Sequence, residues 1–244
     1  MAALAVPVVA LVASLDLTHV LYDDSSLLSL GLALVTLSPI LLMPAYASLA
    51  VQTREYVVIV MWAGQFACEA FSWLIKRAVK ESRPAGSVGN GYGFPSSHSQ
   101  YMGYFATFLI CHLYFQHRFG TTGYTFLDLA WRVLVYSAIG GWALLVAYSR
   151  YALGYHNAHQ ISWGFGIGVL FAAILFVVSQ ILPRRQPSSI FGKLKMFLLV
   201  NPVSTWLQIR DGWDIWADGG REHEWLRWRK EWDSKRTRHD KKRP

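Results

Sequence analysis

Five apolar stretches, at roughly 27–50, 56–75, 99–117, 131–149 and 160–182, alternate with short polar ones along the chain. About 20 mostly apolar residues cross the ~30 Å hydrocarbon layer of a bilayer, so each stretch is predicted to be a membrane-spanning helix. The pattern therefore predicts an all-α fold, a polytopic transmembrane helical bundle. Pro39 and Pro44 fall in the first stretch and predict a kink there. A further stretch at 190–209 is broken by Lys193, Lys195 and Pro202 and reads as an interfacial amphipathic helix that does not span.

Composition supports a membrane class, with 53% hydrophobic residues and 11 Trp, 12 Tyr and 13 Phe among 244. The net charge of +8 is unevenly placed. Residues 1–182 carry eight Lys or Arg against seven Asp or Glu, and residues 183–244 carry fifteen against eight. The basic excess belongs to a tail with no nucleic-acid motif, so anionic lipid headgroups are its expected partner, and no nucleic acid is. Cys68 and Cys111 lie inside apolar stretches and read as small hydrophobes, not as a disulfide framework. Met1–Ser14 is apolar without a basic region before it, which fits a membrane-associated or loosely ordered arm better than a cleaved signal. The expected organisation is an arm over 1–24 on the non-cytoplasmic side, a transmembrane domain over 25–182, and a basic interfacial and cytoplasmic tail over 183–244.

Two polar stretches interrupt the apolar ones, KRAVKESRPAGSVGNGYGFPSSH at 76–98 and SRYALGYHNAHQ at 149–160. Lys76, Arg77, Lys80 and Arg83 open the first; charge placed beside a membrane span has to be paired or functional. Alternation of the spans brings both stretches to one face. Arg54, Arg118, Arg132, Arg184, Arg185 and the tail fall on the other, which the positive-inside rule makes cytoplasmic.

The residue types suit phosphoryl transfer, in which fixed cations hold non-bridging oxygens, a nucleophile attacks in line and an acid protonates the leaving oxygen. Lys76, Arg83 and Arg150 supply cations, and arginine matches phosphate oxygens bidentately. Ser96 and Ser97, at the start of the third span, serve either as helix caps or as phosphate donors, beside backbone N–H groups that favour an anion. His98 and His156 are the acid and nucleophile candidates. A metal held by His98, His156 and His159 is disfavoured by the adjacent cations, so no metal or other cofactor is expected.

Lys76, six residues, then Arg83-Pro84; Pro95-Ser96-Ser97-His98; and Ser149-Arg150, five residues, then His156 together resemble the three-part signature of the type 2 phosphatidic acid phosphatase superfamily. Vanadium haloperoxidases share its site architecture. The resemblance covers roughly 25–182. It implies that His156 attacks phosphorus to form a phosphohistidine, that His98 protonates the leaving group, that Lys76, Arg83, Ser96, Ser97 and Arg150 hold the phosphate, and that no metal is needed.

Two positions depart from the usual pattern: Ser97 stands for a glycine, and Gln160, four residues after His156, stands for an aspartate. A neutral amide can orient the ring but stabilises an imidazolium less. Glu69, two helical turns before Lys76 and the only acid in the predicted spans, is a supporting partner either for the nucleophile or for Lys76. Both departures resemble the dolichyl pyrophosphate phosphatase branch. That resemblance implies hydrolysis of dolichyl diphosphate to dolichyl phosphate and phosphate at the lumenal face of the endoplasmic reticulum membrane, recycling the carrier lipid of protein N-glycosylation. Lys241-Lys242-Arg243-Pro244 resembles a dilysine retrieval signal. A broader lipid phosphate phosphatase, a catalytically silent lipid-binding member and a haloperoxidase are the alternative readings of the same motifs.

Overall fold

The structure, a computed structural model, describes residues 20–22, 26–87 and 91–240, the side chains of 237–240 excepted. The expected arm over 1–24, apart from 20–22, and the basic end at 241–244 lie outside the described residues.

The first apolar stretch folds as two helices, α1 (Leu27–Thr36) and α2 (Ser38–Thr53), and is followed by α3 (Tyr56–Val79). The break falls at Leu37, not at either proline. Pro39 sits in the first turn of α2, where a missing N–H has no partner to lose, and Pro44 lies inside α2 without ending it. Next come α4 (Ser97–Phe115), α5 (Thr125–Ala152) and α6 (Ala158–Phe176). A π-helical turn, Val177–Ile181, joins α6 to α7 (Leu182–Arg185), placing the irregularity just before Pro183. The tail forms α8 (Ile190–Val200), α9 (Pro202–Trp206), α10 (Gly212–Ile215) and α11 (Arg221–Asp240).

Four of these units are long and apolar enough to cross a bilayer: Leu27–Thr53, Tyr56–Val79, Thr125–Ala152 and Ala158–Arg185. The shortest has 24 residues, about 36 Å at 1.5 Å per residue. The remaining predicted span is α4, which is less apolar because protein surrounds it. It packs on α6, α5 and α3, and it buries Ser99, Gln100, Tyr104 and His112 alongside Met102 and Phe108. Tyr104, Phe108 and Phe176 form the centre of the core, with the last two rings edge to face at 5.3 Å. Side chains on the outside are apolar: Leu27 is 87% and Phe126 79% exposed. Such a surface is stable against lipid and not against water.

Glycines bring α6 onto α4 backbone to backbone. A Cβ on Gly168 would lie 2.1 Å from Gln100 O, and one on Gly164 would lie 2.6 Å from Ser96 O. Close packing of this kind drives helix association where lipid removes the hydrophobic incentive.

At the pole away from the two polar stretches, residues 190–220 dock onto the start of α3. Glu55, buried there, accepts from Arg210 Nε at 2.7 Å and Gly212 N at 2.8 Å, and Tyr56 N donates to Arg210 O at 2.8 Å. Lys195 pairs with Asp211, and Trp213 is buried with its ring edge-on to His112 and His117 at 4.8 and 5.0 Å. The first part of the tail is thus packed structure.

Candidate active site

The end of α5 builds half of the site. Leu153 closes the helix and Gly154 takes a left-handed φ of 72°. Gly154 N donates to Tyr151 O at 3.0 Å and Tyr155 N to Arg150 O at 3.1 Å, the paired bonds of a Schellman end. His156 N reaches the same carbonyl at 3.3 Å. Asn157 then caps α6, its Oδ1 accepting from Gln160 N at 2.8 Å. The spacing from Arg150 to His156 is therefore the length of one helix end and one reversal.

The other half is the segment from α3 to α4. Lys80, at φ 53°, terminates α3 one turn beyond Lys76. Gly93 N donates to Glu81 O at 2.8 Å, and Ser96 N donates to Gln160 O at 3.1 Å, so the segment is tied to itself and to α6. Arg77 stacks over Trp73 at 3.9 Å and, like Lys80, is exposed. Of the four bases in this stretch, Lys76 and Arg83 are the two that face the other motifs.

Arg83 Nη1 lies 3.3 Å from His156 Nε2 and donates to Tyr155 O at 3.3 Å. Tyr155 organises the neighbourhood. Its carbonyl also accepts from Ser87 Oγ at 3.2 Å, its ring lies 3.7 Å beneath the Arg150 guanidinium, and its hydroxyl accepts from Leu21 N at 2.8 Å. Arg150 is buried, and its Nε has no hydrogen-bond partner among the described residues. A buried guanidinium N–H in that position suits an anion.

Gln160 settles the tautomer of His156. Its Nε2 donates to Glu81 Oε1 at 2.8 Å and to Ser82 O at 3.0 Å. Both are pure acceptors, so the nitrogen end of the amide points at them and Oε1 faces His156 Nδ1 at 3.1 Å. Nδ1 therefore carries the hydrogen, and Nε2 presents a lone pair toward the cations. Burial first, and then the charge of Arg83, hold the His156 imidazole far below its ordinary range, at about 3; the Gln160 bond opposes this, and Arg150 and Lys76 add to it. At neutral pH the ring is uncharged, with the Nε2 lone pair available.

Ser96 is buried at the N-cap of α4 and makes no capping bond; its Oγ accepts from Ser99 Oγ at 3.1 Å. Ser97 Oγ is 3.2 Å from Ser72 Oγ on α3. Backbone N–H groups of the first turn of an α-helix such as α4 lack partners within the helix, which favours an anion there. His98 is close enough to Arg150, His156, Lys76 and Arg83 to feel their charges. It also lines a cavity of about 130 Å³ with Pro39, Ile40, Met43, Glu69, Ser97 and Tyr101. Glu69 thus lies on the His98 side, within electrostatic reach of Lys76. His159 stacks on Phe94 at 5.5 Å. A larger cavity of about 610 Å³ opens at the far pole, where Arg54 and Gln208 bond each other, and holds none of this chemistry.

Residues 52–184 match the family described as the PAP2 superfamily. The chain belongs to that superfamily. It is 36% identical over 194 residues to "Dolichyldiphosphatase 1" of Mus musculus, covering 77% of this chain and 81% of that protein. Identity to "Dolichyldiphosphatase 1" of Homo sapiens is 35% over 200 residues, covering 80% of each. With "Dolichyldiphosphatase" of Saccharomyces cerevisiae it is 31% over 192 residues, covering 75% and 77%. No solved structure matches.

In this PAP2 protein the fold assembles all three motif stretches, with Lys76, Arg83, His98, Arg150 and His156 in one cluster. Sequence reasoning missed Glu81 and Tyr155. Glu81 is the single acid of the 76–98 stretch, a signal hidden by the bases around it. Tyr155 gives no signal in the sequence, because its hub role rests on a backbone carbonyl and a ring face.

Proposed function

We propose that the protein is a dolichyl diphosphate phosphatase, releasing dolichyl phosphate and inorganic phosphate through a phosphohistidine. One observation carries this reading: the lone pair of His156 Nε2 stands 3.3 Å from Arg83 Nη1, so the nucleophile and the phosphate clamp are in contact. The names of the relatives supply the substrate.

In the proposed mechanism the terminal phosphoryl group settles among Lys76, Arg83 and Arg150, with the Ser96 and Ser97 hydroxyls and the first turn of α4 on its remaining oxygens. His156 Nε2 forms a bond to phosphorus as the bond to the bridging oxygen breaks, and His98, which takes up a proton as the negative charge of the diphosphate enters the site, gives that proton to the oxygen. Dolichyl phosphate leaves. His98 then takes a proton from water, which attacks phosphorus and frees phosphate and Nε2. Gln160 keeps Nδ1 protonated throughout, and Glu69 serves the acid's side of the site. No step calls for a metal or other cofactor.

The prenyl chain stays in the bilayer during this cycle, with the domain at 25–182 performing it. The basic residues at the pole opposite the site support a lumenal active site and a cytoplasmic C-terminus in the endoplasmic reticulum membrane, with recycling of the N-glycosylation carrier lipid as the role. The test is phosphate release from dolichyl diphosphate in detergent with EDTA, by wild type and His156→Ala. Wild type should be active and the variant inactive. Activity in the variant would remove the nucleophile, and a preference for phosphatidate would remove the substrate.

A further inference from the structure

We infer that Glu81, acting through the side-chain amide of Gln160, is the carboxylate that positions His156 and offsets the charge its ring acquires. This rests on the reading of His156 as nucleophile. Phosphorylation at Nε2 leaves the proton on Nδ1 and makes the ring cationic, and an amide alone offers that cation only a dipole. The structure places a carboxylate behind the amide: Glu81 Oε1 accepts from Gln160 Nε2 at 2.8 Å, and Gln160 Oε1 accepts from His156 Nδ1 at 3.1 Å. Hydrogen bonds in series polarise one another, more so where water is excluded, and Gln160 is fully buried.

The linkage is held on every side. Ser82 O takes the second hydrogen of the Gln160 amide at 3.0 Å, which blocks a flip. Gly93 N holds the backbone of Glu81 at 2.8 Å. A Cβ on Gly93 would stand 2.7 Å from Gln160 Nε2, so the chain passes directly over the amide. Ser96 N bonds Gln160 O at 3.1 Å. One residue thereby joins the segment carrying Arg83, the start of α4 and the nucleophile. Glu69 occupies the cavity beside His98 and belongs to the other half of the reaction. Glu81 touches neither substrate nor reacting atoms, and its role is that of a positioning residue.

The experiment compares Glu81→Gln, Gln160→Asp and the double variant in detergent, using dolichyl diphosphate, with phosphoenzyme trapped by acid-free quenching. Glu81→Gln keeps size and an acceptor and removes the charge. Its kcat should fall roughly 10- to 100-fold, as when carboxylates behind ligating histidines are removed, with KM within about twofold because the cations are untouched. Gln160→Asp puts a carboxylate directly on Nδ1, so adding Glu81→Gln to it should cost about twofold or less, and the double variant should outperform Glu81→Gln alone. A wild-type kcat in Glu81→Gln overturns the inference. So does a loss that the Gln160→Asp background fails to relieve, which would make Glu81 a brace for its loop. If Glu81→Gln does not fold, Glu81→Asp replaces it, and the inference requires partial kcat at unchanged KM. Failure of the parent reading looks different: wild type would form no phosphohistidine, or His156→Ala would keep its turnover.

Discussion

His156 N and Tyr155 N both bond the carbonyl of Arg150, at 3.3 and 3.1 Å, so the cation proposed to bind phosphate and the proposed nucleophile are fixed to each other through one backbone oxygen. The relationship depends on Gly154, whose φ of 72° closes the end of α5.

Gly154→Ala is therefore expected to destabilise the protein by about 1–2 kcal/mol, the cost of a left-handed L-residue, and to lower kcat/KM more than tenfold by turning His156 away from Arg83. Gly154→Asn should be milder in both, since asparagine tolerates that conformation. Thermal melting in detergent and steady-state kinetics measure the two effects.

His156 also gives the fold a pH dependence. In the unfolded chain it protonates near the ordinary imidazole value, and in the fold only near about 3, because burial and Arg83 disfavour the cation. Between those values the unfolded state binds more protons, so stability falls as pH drops from about 6.5 toward 3. From pH 6.5 to 5 this amounts to about 1–2 kcal/mol. Melting temperatures at pH 7 and pH 5 should drop further for wild type than for His156→Asn; an equal drop would mean that other groups control acid sensitivity.

Gly164→Ala should damage the site from within the contact between α6 and the start of α4. Its Cβ would press on Ser96 O, 2.6 Å away, and Ser96 is the N-cap of α4, so relief requires the helices to part. A stability loss of about 1–3 kcal/mol is expected, together with reduced kcat. Gly166→Ala, whose Cβ meets nothing within 4 Å, is the control and should be neutral or slightly stabilising.

Glu55→Ala should separate stability from catalysis. It strips the acceptor from Gly212 N and the partner from Arg210 at the pole opposite the site. A cost of about 2–3 kcal/mol is expected, reduced from that of a fully buried pair because Arg210 is half exposed. The kcat per folded molecule should stay unchanged, as read by turnover normalised to the monodisperse fraction on gel filtration.

The sequence by itself determined the helices that carry the site, their order, and the placement of the motifs at their ends. Hydropathy over about 20 residues is a property of the chain alone, and a bilayer translates it directly into spans. It also determined the spacing of Arg150 and His156, because a helix end with glycine is a local structure. Only the tertiary structure decided where α1 and α2 separate, since a proline in a first turn costs no hydrogen bond and leaves the break to packing. Tertiary structure likewise joined Glu81 to Gln160 across 79 positions, brought α6 onto α4 through Gly164 and Gly168, and docked Glu55 against Gly212. Each of these is a contact between side chains or backbones distant in sequence, and which acid meets which amide follows from how the helices pack.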